Sequence, residues 1–211
     1  MRSALSIAAR ALGCAAPNPA VGCVIVNDGR VVGRGWTQRG GRPHAETEAL
    51  RRAGALARGA TAYVSLEPCS HHGLTPPCAN ALIAAGVRRV VAAAVDPDPR
   101  VSGRGLALLK EAGIAAECGL LGAEAREINL GFVLRPSANR PMITLKLVTT
   151  LDGIATHRGD GVAGSRVILP AIAASSCAPG TMPSWWGSAQ RSPTPQLTVA
   201  CPGLKPARRR G

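Results

Sequence analysis

His44-Ala45-Glu46, Pro68-Cys69 and Cys78 constrain this chain more than any other residues in it. They supply one imidazole, two thiols and one carboxylate. Zinc takes His nitrogen and Cys thiolate readily, and a catalytic zinc site keeps its fourth position open for water. For the three donors to meet, the fold must bring the start of one helix to the end of a strand and the start of another helix. Glu46 stands two residues from His44, close to a metal without being needed as a ligand. A carboxylate so placed can take a proton from water and later give it to a leaving group. The competing arrangement is a closed structural site completed by a further Cys or His. His71 and His72, between the two cysteines, are candidates for that role.

The hydrophobic pattern around these residues predicts an alternation of strands and helices. Residues 2–13 read as a helix with Ala4, Leu5, Ala8, Ala11 and Leu12 on one face. A strand follows from Val21 to Val26, a hairpin turn at Asn27-Asp28-Gly29, and a second strand from Arg30 to about Trp36. A helix begins near His44 and runs to about Ala53. Residues 61–67 read as an apolar strand, and a helix starts at Cys78. Val87 to Val95 reads as an apolar, central strand. Then come a turn at Asp96-Pro97-Asp98-Pro99, a helix from Gly105 to Ala112, a strand from Ile114 to Cys118 and a helix from Ala123 to Val133. Such alternation gives a layered α/β sheet with helices on both faces. Both halves of the metal set fall at strand-to-helix junctions, where open α/β sheets usually bind ligands.

Composition narrows the class. Aromatic residues make up 2% of the 211, so Ala, Val, Leu and Ile must build the core. The net charge of +13 is nearly all arginine. A basic chain can be a nucleic-acid binder, but these arginines are scattered and only Arg208-Arg209-Arg210 forms a run. Nucleic acid is therefore not the expected partner. The seven cysteines, an odd count with a metal-like pair, point to a reducing compartment. No apolar run reaches the ~18 residues that would span a bilayer, and the first residues read as an amphipathic helix, not a signal peptide. A cytoplasmic location is the expectation.

The run from Pro17 to Val26, the His44-Ala45-Glu46 triplet, the run from Glu67 to Cys78 and the run from Asp96 to Gly105 together resemble the riboflavin-biosynthesis pyrimidine deaminases. His-x-Glu followed by Pro-Cys and a second Cys is the general zinc-deaminase pattern. The eight residues between Cys69 and Cys78 are what separates this family from the tRNA, cytidine and dCMP deaminases. The resemblance covers residues 2 to about 166. It implies a cytidine-deaminase-like three-layer αβα sandwich, followed by a fragment of a dihydrofolate-reductase-like domain. It implies hydrolysis of the 2-amino group of a diaminopyrimidinone that carries a phosphoribosylamino arm, giving ammonia and the phosphoribosylamino-uracil. Zn2+ would be held by His44, Cys69 and Cys78, with Glu46 as proton shuttle. Asn18 would hold the ring, His71 would face the substrate, and Asp96 and Asp98 would line the ribose-phosphate side. Two positions depart from the family pattern: Leu74 stands where a basic residue is usual, and Asp98 replaces a usual Asn. The implied partner is a small phosphorylated pyrimidine, and the fold commonly associates, so a homo-oligomer is also anticipated. Rival readings are a nucleobase deaminase acting on RNA and an inactive zinc-binding remnant.

These readings divide the chain into a deaminase domain at residues 1–138, the start of a reductase domain at 139–166 and an aberrant tail at 167–211. Met142 to Val148 alternates as a new strand after the Pro136–Pro141 linker. A reductase of this kind needs about 200 residues and would bind NADPH only if whole, which is not expected here. Residues 174–194 have no usable periodicity, yet Pro195 to Val199 again resembles the reductase. A compensated frameshift explains that sequence of events; a disordered linker rich in Ser, Pro and Ala is the alternative.

Overall fold

A computed structural model describes residues 1–71, 73, 75–98, 101–138, 142–145 and 197–200. Two compact units result, the first taking in Met1–Pro141 and the second Met142–Ala200. The first holds a five-stranded sheet. Its strands are β1 (Gly22–Asn27), β2 (Arg30–Trp36), β3 (Thr61–Val64), β4 (Arg89–Ala92) and β5 (Ala115–Cys118), in the order β2-β1-β3-β4-β5. β1 runs antiparallel to both β2 and β3, while β3, β4 and β5 are parallel. Asp28-Gly29 makes the two-residue turn between β1 and β2, with φ of 46° and 75°. Both values are positive, as the hairpin turn matching strand twist requires.

Helices cover the sheet in two layers. α2 (Ala45–Ala53), α3 (Cys78–Ala84) and α4 (Arg104–Glu111) pack together along one face, and α1 (Arg2–Ala8) contacts α5 (Gly122–Ile128) on the other. α2 seats closely on β2. A Cβ at Gly33 or Gly35 would collide with the backbone carbonyls of Ala49 or Ala45, so glycine lets the ligand-bearing helix lie directly on the sheet. The core is built from small aliphatic side chains, with Ile25, Leu82, Leu109, Val64 and Val90 fully buried.

Several expectations are corrected. The first helix ends at Ala8 and tightens into a 3-10 turn over Ala9–Ala11, which turns Leu12 out to 45% exposure. β4 is flanked on both sides, but β3 holds the middle of the sheet, and Val95 lies beyond β4 in the open. β3 stops at Val64, although ladder bonds continue through Ser65 N–H to the Gly22 carbonyl and Glu67 N–H to the Ala94 carbonyl. The helix expected over Ala123–Val133 is two, α5 and α6 (Leu130–Ala138), because Asn129 between them turns its amide onto Ala20. Pro136, read as the start of a linker, lies inside α6.

In the second unit β6 (Met142–Leu145) pairs antiparallel with β7 (Leu197–Ala200). β7 falls within the stretch read as tail. Residues 146–196, and with them the aberrant stretch 174–194, lie outside the described residues, as do His72 and Leu74.

Candidate active site

His44 is the N-cap of α2, which places Glu46 in the first turn beside the positive end of the helix. Cys69 follows β3 by five residues, and Cys78 opens α3. Residues from three elements thus converge: His44 Nδ1 lies 3.3 Å from Cys78 Sγ and 3.7 Å from Cys69 Sγ. All three donor atoms sit within 4.8 Å of one another, the one such cluster among the described residues. A tetrahedral zinc at ordinary bond lengths holds N and S donors about 3.6 Å apart, so the set fits the ion in kind and in spread. Among the described residues no fourth donor joins it. His71, the described candidate for closing the site, is exposed.

The electrostatics agree. Cys69 is pulled down to about 4, first by the hydrogen bond from the Cys78 thiol, while burial opposes it. Its sulfur also accepts the Cys78 backbone N–H at 3.3 Å. Cys78 is pushed up, first by that same bond to Cys69 and then by burial. His44 is raised, chiefly by its bond to Cys69. Glu46 is 4% exposed, and burial, with the Cys69 charge behind it, raises its carboxyl to about 7. That lies in the range where one group can both accept and return a proton near neutrality.

A cavity of about 310 Å³ opens onto this cluster. Asn18, His44, Glu46, Cys69, His71, Asp96 and Asp98 all line it. Of the expected residues only Cys78 does not; it is buried at the cluster itself. The Asn18 amide nitrogen donates to the Gly41 carbonyl at 2.8 Å and lies 3.3 Å from His44 Nε2. This residue therefore also steadies the ring of the ligand histidine, a role the sequence did not disclose. Burial raises Asp96 to about 6, and its Oδ1 accepts the Asp98 N–H at 2.8 Å.

Two further residues hold the cavity walls. Glu67 is 4% exposed. One carboxylate oxygen accepts N–H from Gly103 at 2.9 Å and Asp96 at 3.3 Å; the other accepts from Gly105 at 2.9 Å and Leu106 at 3.3 Å. Glu67 is thus a remote cap for the otherwise unpaired N–H groups at the start of α4. It ties the loop of Asp96 and Asp98 to the strand end that carries Cys69. Gly105 makes this possible, since a Cβ there would collide with the Pro68 carbonyl. Asn129 acts likewise on the other wall, accepting Ala20 N–H at 2.8 Å and donating to the Ala20 carbonyl at 2.9 Å. The only sequence signal for Glu67 was an acid closing an apolar strand. Asn129 gave none, because its partner lies 109 residues away.

Comparison with known proteins places this geometry. Residues 1–94, which contain His44, Glu46, Cys69 and Cys78, match the cytidine and deoxycytidylate deaminase zinc-binding region. The chain is 52% identical over 126 residues to the diaminohydroxyphosphoribosylamino-pyrimidine deaminase of Buchnera aphidicola from Acyrthosiphon pisum, covering 60% of this chain and 86% of that protein. The chain belongs to the diaminohydroxyphosphoribosylaminopyrimidine deaminase family. Within the family it is 58% identical over 153 residues to riboflavin biosynthesis protein RibD of Escherichia coli K12, covering 72% of this chain and 42% of that one. It therefore spans well under half the length of that relative. Among solved structures, Acinetobacter baumannii RibD aligns with a TM-score of 0.67 at 49% identity, over 72% of this chain and 43% of that one. The Thermotoga maritima deaminase/reductase aligns at 0.68 and 38% identity, over 76% and 48%. The architecture is that of the cytidine-deaminase-like fold. Among the described residues no helix is long and apolar enough to cross a membrane.

Proposed function

We propose that this chain hydrolyses the 2-amino group of a diaminopyrimidinone bearing a phosphoribosylamino arm, releasing ammonia and leaving the phosphoribosylamino-uracil. The observation that carries this reading is the His44, Cys69 and Cys78 cluster standing beside a cavity that buried Glu46 lines. The names of the relatives supply the substrate class.

His44, Cys69 and Cys78 would hold zinc, which when bound lowers the pKa of water towards neutrality. Glu46 takes a proton from the attacking water and delivers it to the adjacent ring nitrogen. It then carries a second proton from the same water to the departing amine, so that water and the amino-pyrimidine become the oxo-pyrimidine and ammonia. Asn18 positions the ring, His71 faces the substrate, and Asp96 and Asp98 lie along the ribose arm. Residues 1–138 form the deaminase domain, and residues 139–166 open a second, reductase-like domain.

Ammonia release from the diaminopyrimidine phosphate by the zinc-loaded full chain tests the proposal. Release that stops on chelation and returns with zinc supports it. Stoichiometric zinc with no ammonia would instead identify an inert zinc-folded module.

A further inference from the structure

The cavity lining is unbalanced for an anionic substrate. Four carboxylates line it, those of Glu46, Glu67, Asp96 and Asp98, against two guanidinium groups, Arg42 and Arg135. Arg42 lies in the loop before α2, two residues from His44, and is half-buried. Its Nη1 donates to the Thr75 hydroxyl at 2.6 Å, which braces it across to the Cys69–Cys78 loop. A hydroxyl accepts a hydrogen bond but neutralises no charge. The ion pairs among the described residues are Glu48 with Arg51 and Arg52, and Glu117 with Arg89; none involves Arg42. A guanidinium carries five N–H donors in a planar fork matched to phosphate oxygens. The bond to Thr75 occupies one group and leaves the rest of the fork available. A cation held this way, facing a cavity otherwise rich in acid, is matched to a dianionic end group.

We propose that Arg42, braced by Thr75 and joined on the cavity by Arg135, is the subsite for the phosphate monoester of the substrate. The assignment rests on the reading given under the proposed function. It makes Arg42 a discriminating residue: phosphorylated substrates are bound, and the same compounds without phosphate are not.

Calorimetric titration of the zinc-loaded full chain with ribose 5-phosphate, and separately with ribose, tests this without requiring turnover. The native chain should bind ribose 5-phosphate with an affinity that falls as salt rises, and ribose should give no signal. Arg42→Gln should weaken the phosphate ester about 10-fold or more, the scale of one charge-assisted bond, at unchanged zinc content. Thr75→Val, which keeps the cation and removes its brace, should lose several-fold. Equal binding of ribose 5-phosphate by the native chain and Arg42→Gln would overturn the assignment, and so would equal binding of ribose and its phosphate. Failure of the proposed reaction would appear elsewhere, as a native chain that releases no ammonia.

Discussion

One set of site residues, His44, Glu46, Cys69 and Cys78, hangs from the first turns of α2 and α3 and from the end of the β3 run. The other set, Arg42, His71, Asp96 and Asp98, hangs from loops. The first set is buried or half-buried, and its His44, Cys69 and Cys78 donor atoms lie within 4.8 Å of one another. In the second, His71 is exposed and Asp98 half-buried. Regular elements fix the position of a side chain through their ladders and packing, whereas a loop needs its own ties. Here the ties are single polar side chains: Glu67 for the Asp96–Leu106 segment, Asn129 for the Asn18–Val21 segment and Thr75 for Arg42. Under the proposed function, the chemistry falls to the first set and selection of the substrate arm to the tied loops.

The largest effect that bears on this comparison is the loss of a ligand. Cys78→Ser removes a thiolate from a three-donor set, so zinc should leave on dialysis against a chelator that spares the native chain. Ammonia release should fall to background. Full zinc retention would show that the cluster is not the metal site.

Glu67→Gln comes next. The amide can replace one carboxylate oxygen but turns an NH2 towards the two N–H groups that the other oxygen served. Each stranded buried N–H costs about 1–3 kcal/mol. The thermal midpoint should drop, and KM should rise far more than zinc content falls, because the loop of Asp96 and Asp98 is released while the ligands stay. A proportionate loss of zinc would mean that the two sets of residues are one rigid unit. Asn129→Ala strands the buried N–H and carbonyl of Ala20 and should cost a similar amount, about 1–3 kcal/mol for each group, read by denaturant unfolding.

The smallest effect is expected from Asp98→Asn. Asp98 is one of the charges that raise Asp96, after burial itself. Removing it should lower the Asp96 pKa from about 6, followed by carboxyl NMR. With one fewer negative charge beside the phosphate arm, KM should fall by a few-fold at unchanged kcat, the worth of a modest electrostatic contact. A rise in KM would assign Asp98 a direct bond to the substrate.

How much of this was legible in the sequence follows from the range of the interactions involved. The ligand triplet, the two-residue turn at Asp28-Gly29 and β2 at Arg30–Trp36 were readable because residue type and local spacing determine them. Glu67 and Asn129 were not, because their partners are backbone groups far along the chain, and a backbone group leaves no mark in a sequence. The same holds for the break between α5 and α6, where the local pattern continues as helix and a distant contact at Ala20 ends it. Arg42 was invisible for a related reason: among scattered arginines, only its bond to Thr75 sets it apart.

In the proposed reaction Glu46, buried beside the three ligands but not one of them, carries the proton transfers. Glu46→Gln keeps the volume and removes the titrating group. Zinc content and ammonia release should be measured on the same sample. A single zinc per chain is expected in both the variant and the native protein, with turnover of the variant lowered about 100-fold or more. Turnover within a few-fold of native at the same zinc content would contradict it.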